Sequence, residues 1–154
     1  MLLSALATVA SINAGPDARA AELPSYCAEL KEVASLALVT GRFTGIVGAP
    51  REGNFLDSKI ALPGWGDCAF YGRRTYTCDS RDFGTAEEAE LAHGRIIDEV
   101  KACLGDGWSE VPDQASRGYA VLHDTRHTVA ITINTDETAS GEHVVRLTMF
   151  PRSR

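Results

Sequence analysis

Residues 67–79 have the sequence DCAFYGRRTYTCD, which predicts a β-hairpin with its turn at Gly72 to Arg74. Runs of residues that favour strands flank this turn on both sides. With the turn centred there, Cys68 lies opposite Cys78 on the neighbouring strand. The segment therefore predicts antiparallel sheet, and the other elements can be assigned outward from it.

Two amphipathic helices are predicted on either side of the hairpin. The first begins at Ser25 and has apolar residues at helical spacing; it either ends near Thr40 or frays over one or two more turns that carry Phe43 and Ile46. The second begins at Thr85, where Thr85 and Glu88 have the spacing of a capping box, and ends at Gly105. Alternating apolar and polar residues predict the remaining strands, which are residues 54–62, 119–124, 126–134 and 143–150.

The predicted order of elements is α-β-β-β-α-β-β-β. This order indicates a single α+β domain over residues 21–154, with two helices packed on antiparallel sheet and two disulfides. The order resembles a doubled unit of a helix plus a β-meander, although no repeat is visible at the level of single residues.

Residues 1–20 are typical of a secretory signal peptide. An apolar run of about a dozen residues is followed by Ala18-Arg19-Ala20, a small-residue cleavage pattern. The positively charged start of such peptides is missing, so the true start of translation could lie upstream. No later stretch approaches the length of a membrane span. We therefore expect a soluble protein in the periplasm or outside the cell.

The four cysteines allow three pairings, and the predicted elements favour one of them. Cys68 pairs with Cys78 across the hairpin, while Cys27 and Cys103 lie on apolar faces of the two helices. Antiparallel packing of the helices would bring Cys27 and Cys103 together. No pair has the Cys-x-x-Cys spacing of a redox motif or a zinc knuckle, and an even number of cysteines in an exported domain favours disulfides.

Composition narrows the possible functions. The chain has 15 basic and 21 acidic residues, and its net charge of -6 argues against binding to nucleic acid. The hydrophobic fraction of 44% and the charged fraction of 23% are ordinary for a folded soluble domain. Such a domain can fold without help, so we expect no cofactor.

The histidines are the residues most open to a catalytic or metal-binding interpretation. His123 and His127 flank a tight turn, and His143 begins the last predicted strand. A small envelope hydrolase or metal-dependent enzyme could use these three residues. The simpler interpretation, which we favour, places them at the solvent edges of strands, with no metal site and no catalytic group.

The hairpin gathers aromatic and basic residues in an otherwise acidic chain. Tyr71, Arg73, Arg74 and Tyr76 are of types that anchor protein interfaces. The alternative is that Tyr76 packs in the core and the two arginines only keep the turn soluble. The sequence thus predicts a non-enzymatic module that binds an envelope or secreted protein, such as an inhibitor, an immunity factor or a carrier.

Overall fold

A computed structural model describes residues 22–152 as two helices packed on one face of an eight-stranded antiparallel sheet. The predicted signal peptide at residues 1–20 lies outside the described residues. The elements in chain order are α1 (Cys27–Thr40), β1 (Val47–Pro50), β2 (Phe55–Ser58), β3 (Cys68–Tyr71), β4 (Thr75–Asp79), α2 (Ala86–Leu104), β5 (Trp108–Glu110), β6 (Tyr119–Asp124), β7 (Val129–Glu137) and β8 (His143–Pro151).

The predicted α+β fold and its order of elements are confirmed. The structure adds two short strands, β1 and β5, and these form the two edges of the sheet. The strand order is β1-β2-β3-β4-β8-β7-β6-β5, so each half of the chain contributes one helix and a four-stranded meander. The last strands of the two halves, β4 and β8, pair at the centre and join the meanders into one sheet.

Both helices have the local signals that their sequences predict. The side chain of Thr85 accepts a hydrogen bond from the amide of Glu88, as expected for a capping box. Helix α1 ends at Gly41, whose φ of 60° is the left-handed conformation that glycine adopts without strain. These caps fix the ends of the helices independently of the sheet.

Both predicted disulfides are present. Cys68 and Cys78 are directly paired residues of β3 and β4, and their Cα atoms are 4.1 Å apart. Cys27 and Cys103 join the start of α1 to the end of α2, with a Cα separation of 5.2 Å. All four side chains are buried, so the bridges are part of the core.

The core lies between the helices and one face of the sheet. Phe70, Tyr76, Met149, Ile131 and Leu122 form one row across five neighbouring strands, and each is fully buried. Phe43, from the segment after α1, packs on Phe70 with ring centroids 5.1 Å apart. Because side chains of a β-strand alternate between faces, the residues on either side of this row point to the opposite face of the sheet. Neither α1 nor α2 packs on that opposite face.

No helix among residues 22–152 has both the length and the apolar character needed to cross a bilayer.

Candidate functional site

The uncovered face of the sheet, here called the open face, is the face opposite the helices. Its central row runs through Ala69, Thr77, Thr148, Thr132 and Val121, which are paired across β3, β4, β8, β7 and β6. Thr77, Thr148 and Thr132 in the middle of this row are half-buried, whereas Ala69 and Val121 at its ends are buried. The centre of the open face is therefore polar, whereas the matching row on the helix side is apolar.

A concavity of about 520 Å³ lies on this face over β2, β3, β4 and β8. We call it the open-face pocket. Its floor includes Ala69, Thr75, Thr77 and Thr148. The hydroxyl oxygens of Thr77 and Thr148 are 3.4 Å apart, so the two side chains share one polar patch. The volume is within the range of pockets that bind small ligands or the side chains of a partner.

Arg51 forms one wall of the pocket. Its Nε donates to Asp57 at 2.5 Å and its Nη1 donates to Asp67 at 2.6 Å. These hydrogen bonds raise the pKa of the guanidinium, with that to Asp67 contributing most. Gly48 allows the arrangement, because a Cβ there would lie 2.8 Å from the Cβ of Asp57. The close approach of β1 to β2 brings Arg51, the residue after β1, within hydrogen-bonding distance of Asp57.

Arg146 braces the opposite wall. It is the direct cross-strand neighbour of Asp79, and its Nε and Nη2 donate to the two carboxylate oxygens of Asp79 at 2.6 and 2.9 Å. Its Nη1 donates to Asp136 on β7. The hydrogen bonds to Asp79 raise the pKa of this arginine despite its partial burial. A bidentate pair of this kind fixes the plane of the guanidinium.

Two aromatic side chains form the rim of the pocket. Phe55 of β2 and Tyr71 of β3 are directly paired, and their rings meet edge to face with centroids 5.5 Å apart. The exposed fraction is 42% for Phe55 and 53% for Tyr71. Large apolar side chains in such a position would lose solvent contact on association, which is typical of an interface anchor.

The structure separates the four predicted binding residues. Tyr71 belongs to the open-face pocket, and Arg73 and Arg74 are exposed in the turn that follows it. Tyr76 points to the other side of the sheet and is fully buried, where burial raises the pKa of its phenol. Its hydroxyl donates to the carbonyl of Ile60. Tyr76 is thus a core residue and does not belong to the candidate surface.

The three histidines considered for catalysis do not converge. His123 and His127 lie at the β6–β7 turn, where their Nδ1 atoms are 3.4 Å apart. His123 pairs with Ala130 near the start of β7, whereas His143 pairs with Glu137 at the other end of that strand. Ala130 and Glu137 are about 23 Å apart along β7. No group of three or more side chains suited to a metal ion occurs between residues 22 and 152.

The β6–β7 turn explains why His123 and His127 are close. The carboxylate of Asp124 accepts hydrogen bonds from the backbone amides of Arg126, Thr128 and Val129, which closes the turn. Burial raises the pKa of Asp124, but these hydrogen bonds together outweigh it and lower the pKa. The histidine pair is therefore a consequence of turn geometry. His127 itself has a positive φ of 54°, so it lies in the turn and not in the strand row predicted for it.

Among the residues that line the pocket, Tyr71 was predicted from the sequence to bind a partner, and the others were not. Strand alternation was the available signal for some of them, because it places Phe55 with Asp57 on one face of β2 and Arg146 with Thr148 on one face of β8. Nothing in the sequence shows that Arg146 lies beside Asp79, which is 67 positions away.

Comparison of the chain with known protein families, with characterised proteins and with solved structures found no match in any of the three. The geometry and chemistry of the open face are thus the basis on which a function can be proposed.

Proposed function

We propose that this protein is an exported, non-catalytic module that binds another protein with the open face of its sheet. The observation that carries the proposal is the exposed aromatic pair Phe55 and Tyr71 beside a pocket whose charged walls are already fixed by ion pairs. A partner that binds such a surface does not have to order it first, which lowers the entropic cost of association.

The size of the open face suits a protein partner. Eight strands about 4.8 Å apart span about 34 Å, and the nine residues of β7 and of β8 run about 30 Å. A stable interface needs about 800 Å² from each partner. The part of the open face around the open-face pocket is accessible to a partner, whereas the helices cover the other face.

Two buried disulfides support export to the periplasm or the exterior, since such bonds persist in oxidising compartments. The predicted signal peptide agrees with this location. An inhibitor, an immunity factor or a carrier would each benefit from a stapled domain with one uncovered sheet face.

The test compares two matched double variants in a pull-down from the native cell envelope. Phe55→Ala with Tyr71→Ala removes the aromatic pair of the open face. Val39→Ala with Leu91→Ala removes two side chains on the helices that are about 80% exposed. The captured protein is identified by mass spectrometry and purified, and its affinity for each variant is then measured by calorimetry.

We expect the helix-side variant to bind like the wild type and the open-face variant to bind at least 30-fold more weakly, since central aromatic residues of an interface often contribute 2 kcal/mol or more. Circular dichroism should show the same fold in both variants. Equal affinity of the two variants for the captured protein would refute the proposed binding face. Arg73→Ala with Arg74→Ala, made in the same series, measures the contribution of the turn.

A further inference from the structure

The arginines of the open-face pocket are occupied within the protein itself. Arg51 donates to two aspartates, and Arg146 uses its Nε and both Nη atoms on two others. A guanidinium held in this way has little capacity left for an anionic ligand. The pocket therefore contains two basic groups but is poorly suited to bind a carboxylate or a phosphate.

Acidic groups outnumber basic ones around the pocket. Those that line it or pair with its arginines are Glu52, Asp57, Asp67, Asp79 and Asp136, against Arg51 and Arg146. The lining alone has Glu52, Asp67 and Asp79 against Arg51 and Arg146, an excess of one negative charge at neutral pH. The ion-pair partners Asp57 and Asp136 lie outside the lining and raise the excess to three. The side chain of Asp67 is 67% exposed and that of Asp57 is 47% exposed, so both carboxylates remain accessible from solvent.

The aromatic rim points to the same kind of occupant. The faces of aromatic rings attract cations, and this attraction strengthens when the cation is shielded from water. Phe55 and Tyr71 line the same pocket as Glu52 and Asp67. The threonine hydroxyls of its floor can accept hydrogen bonds from a donor such as a guanidinium or an ammonium group. Arg73 and Arg74 are exposed in the neighbouring turn and lie outside the lining of the pocket.

We infer that the open-face pocket accepts a basic side chain, arginine or lysine, presented by the partner protein. This inference rests on the proposed function, because it names the chemical group by which the partner is recognised. The basic side chain lies between the aromatic rim and the carboxylates of Glu52 and Asp67, with its donors directed at the threonine floor. Charge complementarity then gives specificity for a partner with a basic surface.

The first test needs no partner. N-acetyl-arginine methylamide is titrated into ¹⁵N-labelled protein, and N-acetyl-citrulline methylamide, its uncharged analogue of nearly the same shape, is titrated in parallel. A probe of this size should bind with a dissociation constant near a millimolar. We expect the arginine probe to shift the backbone amide signals of Ala69, Thr75, Thr77 and Thr148. Equal shifts from both probes, or none from the arginine probe at about 20 mM, would overturn the inference.

The second test removes charge without changing shape. Glu52→Gln with Asp67→Asn takes away two accessible carboxylates of the pocket, and Glu32→Gln with Asp98→Asn takes away two exposed carboxylates of the helices. Each pocket carboxylate should contribute about threefold to the affinity, which is the effect of one charge at about 6 Å in water. The pocket variant should therefore bind the arginine probe about tenfold more weakly, and the helix variant should match the wild type. Equal weakening in both variants would show a general charge effect and contradict a specific site.

The two proposals can fail separately. If Phe55→Ala with Tyr71→Ala abolishes partner binding while the arginine probe gives no specific shift, the open face binds its partner by other chemistry. If the arginine probe binds but that variant keeps the partner, the pocket takes a cation and the proposed binding face is wrong.

Discussion

Removing the Cys27–Cys103 disulfide should destabilise the protein more than removing Cys68–Cys78. The two bridges join residues 76 and 10 positions apart. In the chain-entropy model, loops of these lengths correspond to about 4.5 and about 2.7 kcal/mol at 25 °C. The difference of nearly 2 kcal/mol arises in the unfolded chain, where the longer loop has more freedom to regain.

The structure makes this comparison well matched. Both bridges are buried in the same core, and Cys68 Sγ also accepts a hydrogen bond from the amide of Leu62. The hairpin that contains Cys68 and Cys78 stays closed by the β3–β4 ladder in the folded state.

Urea denaturation at pH 7 measures both losses. Tryptophan fluorescence is a suitable probe, because Trp65 packs edge-on against Tyr26 beside Cys27, and Trp108 is buried in β5 at the far side of the sheet. The variant that lacks Cys27–Cys103 should also have a steeper dependence on urea, since its unfolded chain is less compact. An equal loss in the two variants, or a larger loss without Cys68–Cys78, would refute the entropic reasoning.

Three other perturbations test the geometry of the sheet. Gly48→Ala should lower the free energy of unfolding by about 1–3 kcal/mol, because the added Cβ would lie 2.8 Å from the Cβ of Asp57. Calorimetric melting measures this loss, and an unchanged Tm would contradict the close approach of the two strands. Asp124→Asn should cost about 1–3 kcal/mol at pH 7, since its carboxylate accepts hydrogen bonds from Val129 and two other backbone amides. The folded-state pKa of Asp124 lies below its ordinary value of 3.8, so this stabilisation is present above pH 3.8 and is lost as pH falls through the folded-state pKa. The urea midpoint should therefore decline less between pH 5 and pH 2 in the variant than in the wild type. Burial, the charge of Arg152 and that of His127 lower the pKa of His123, so the unfolded chain binds a proton at this side chain more readily than the folded protein does. The urea midpoint of the wild type should therefore fall as pH drops below about 6.5, and His123→Gln should reduce that fall.

Local patterns were sufficient to predict the elements and their covalent links. The hairpin around Gly72, the cap at Thr85 and the period of each helix depend on residues within a few positions of one another. The pairing of Cys68 with Cys78 follows from the register of that hairpin. Cys27–Cys103 could also be predicted, because both cysteines lie on the apolar faces by which the two helices pack.

The edge strands escaped prediction for a physical reason. β1 has four residues, of which Gly48 and Pro50 are unfavourable in strands, and β5 has only three. Neither segment therefore shows a run of alternating apolar and polar residues long enough to be recognised. The stability of such short strands comes from the ladder that a neighbouring strand offers them. That neighbour exists only once the sheet has formed.

The sequence by itself determined which residues alternate, where each helix begins and ends, and which side chains of a strand share a face. Beyond the hairpin of β3 and β4, only the tertiary structure decided which strands are neighbours. It pairs β4 with β8, places Asp79 beside Arg146 across 67 positions, and brings Arg51 over β2 and β3. Alternation fixes the face of a side chain but not the strand beside it, because strand pairing depends on the closure of long loops and the packing of the whole sheet. The open-face pocket is built from such pairings, and so it appears only in the folded protein.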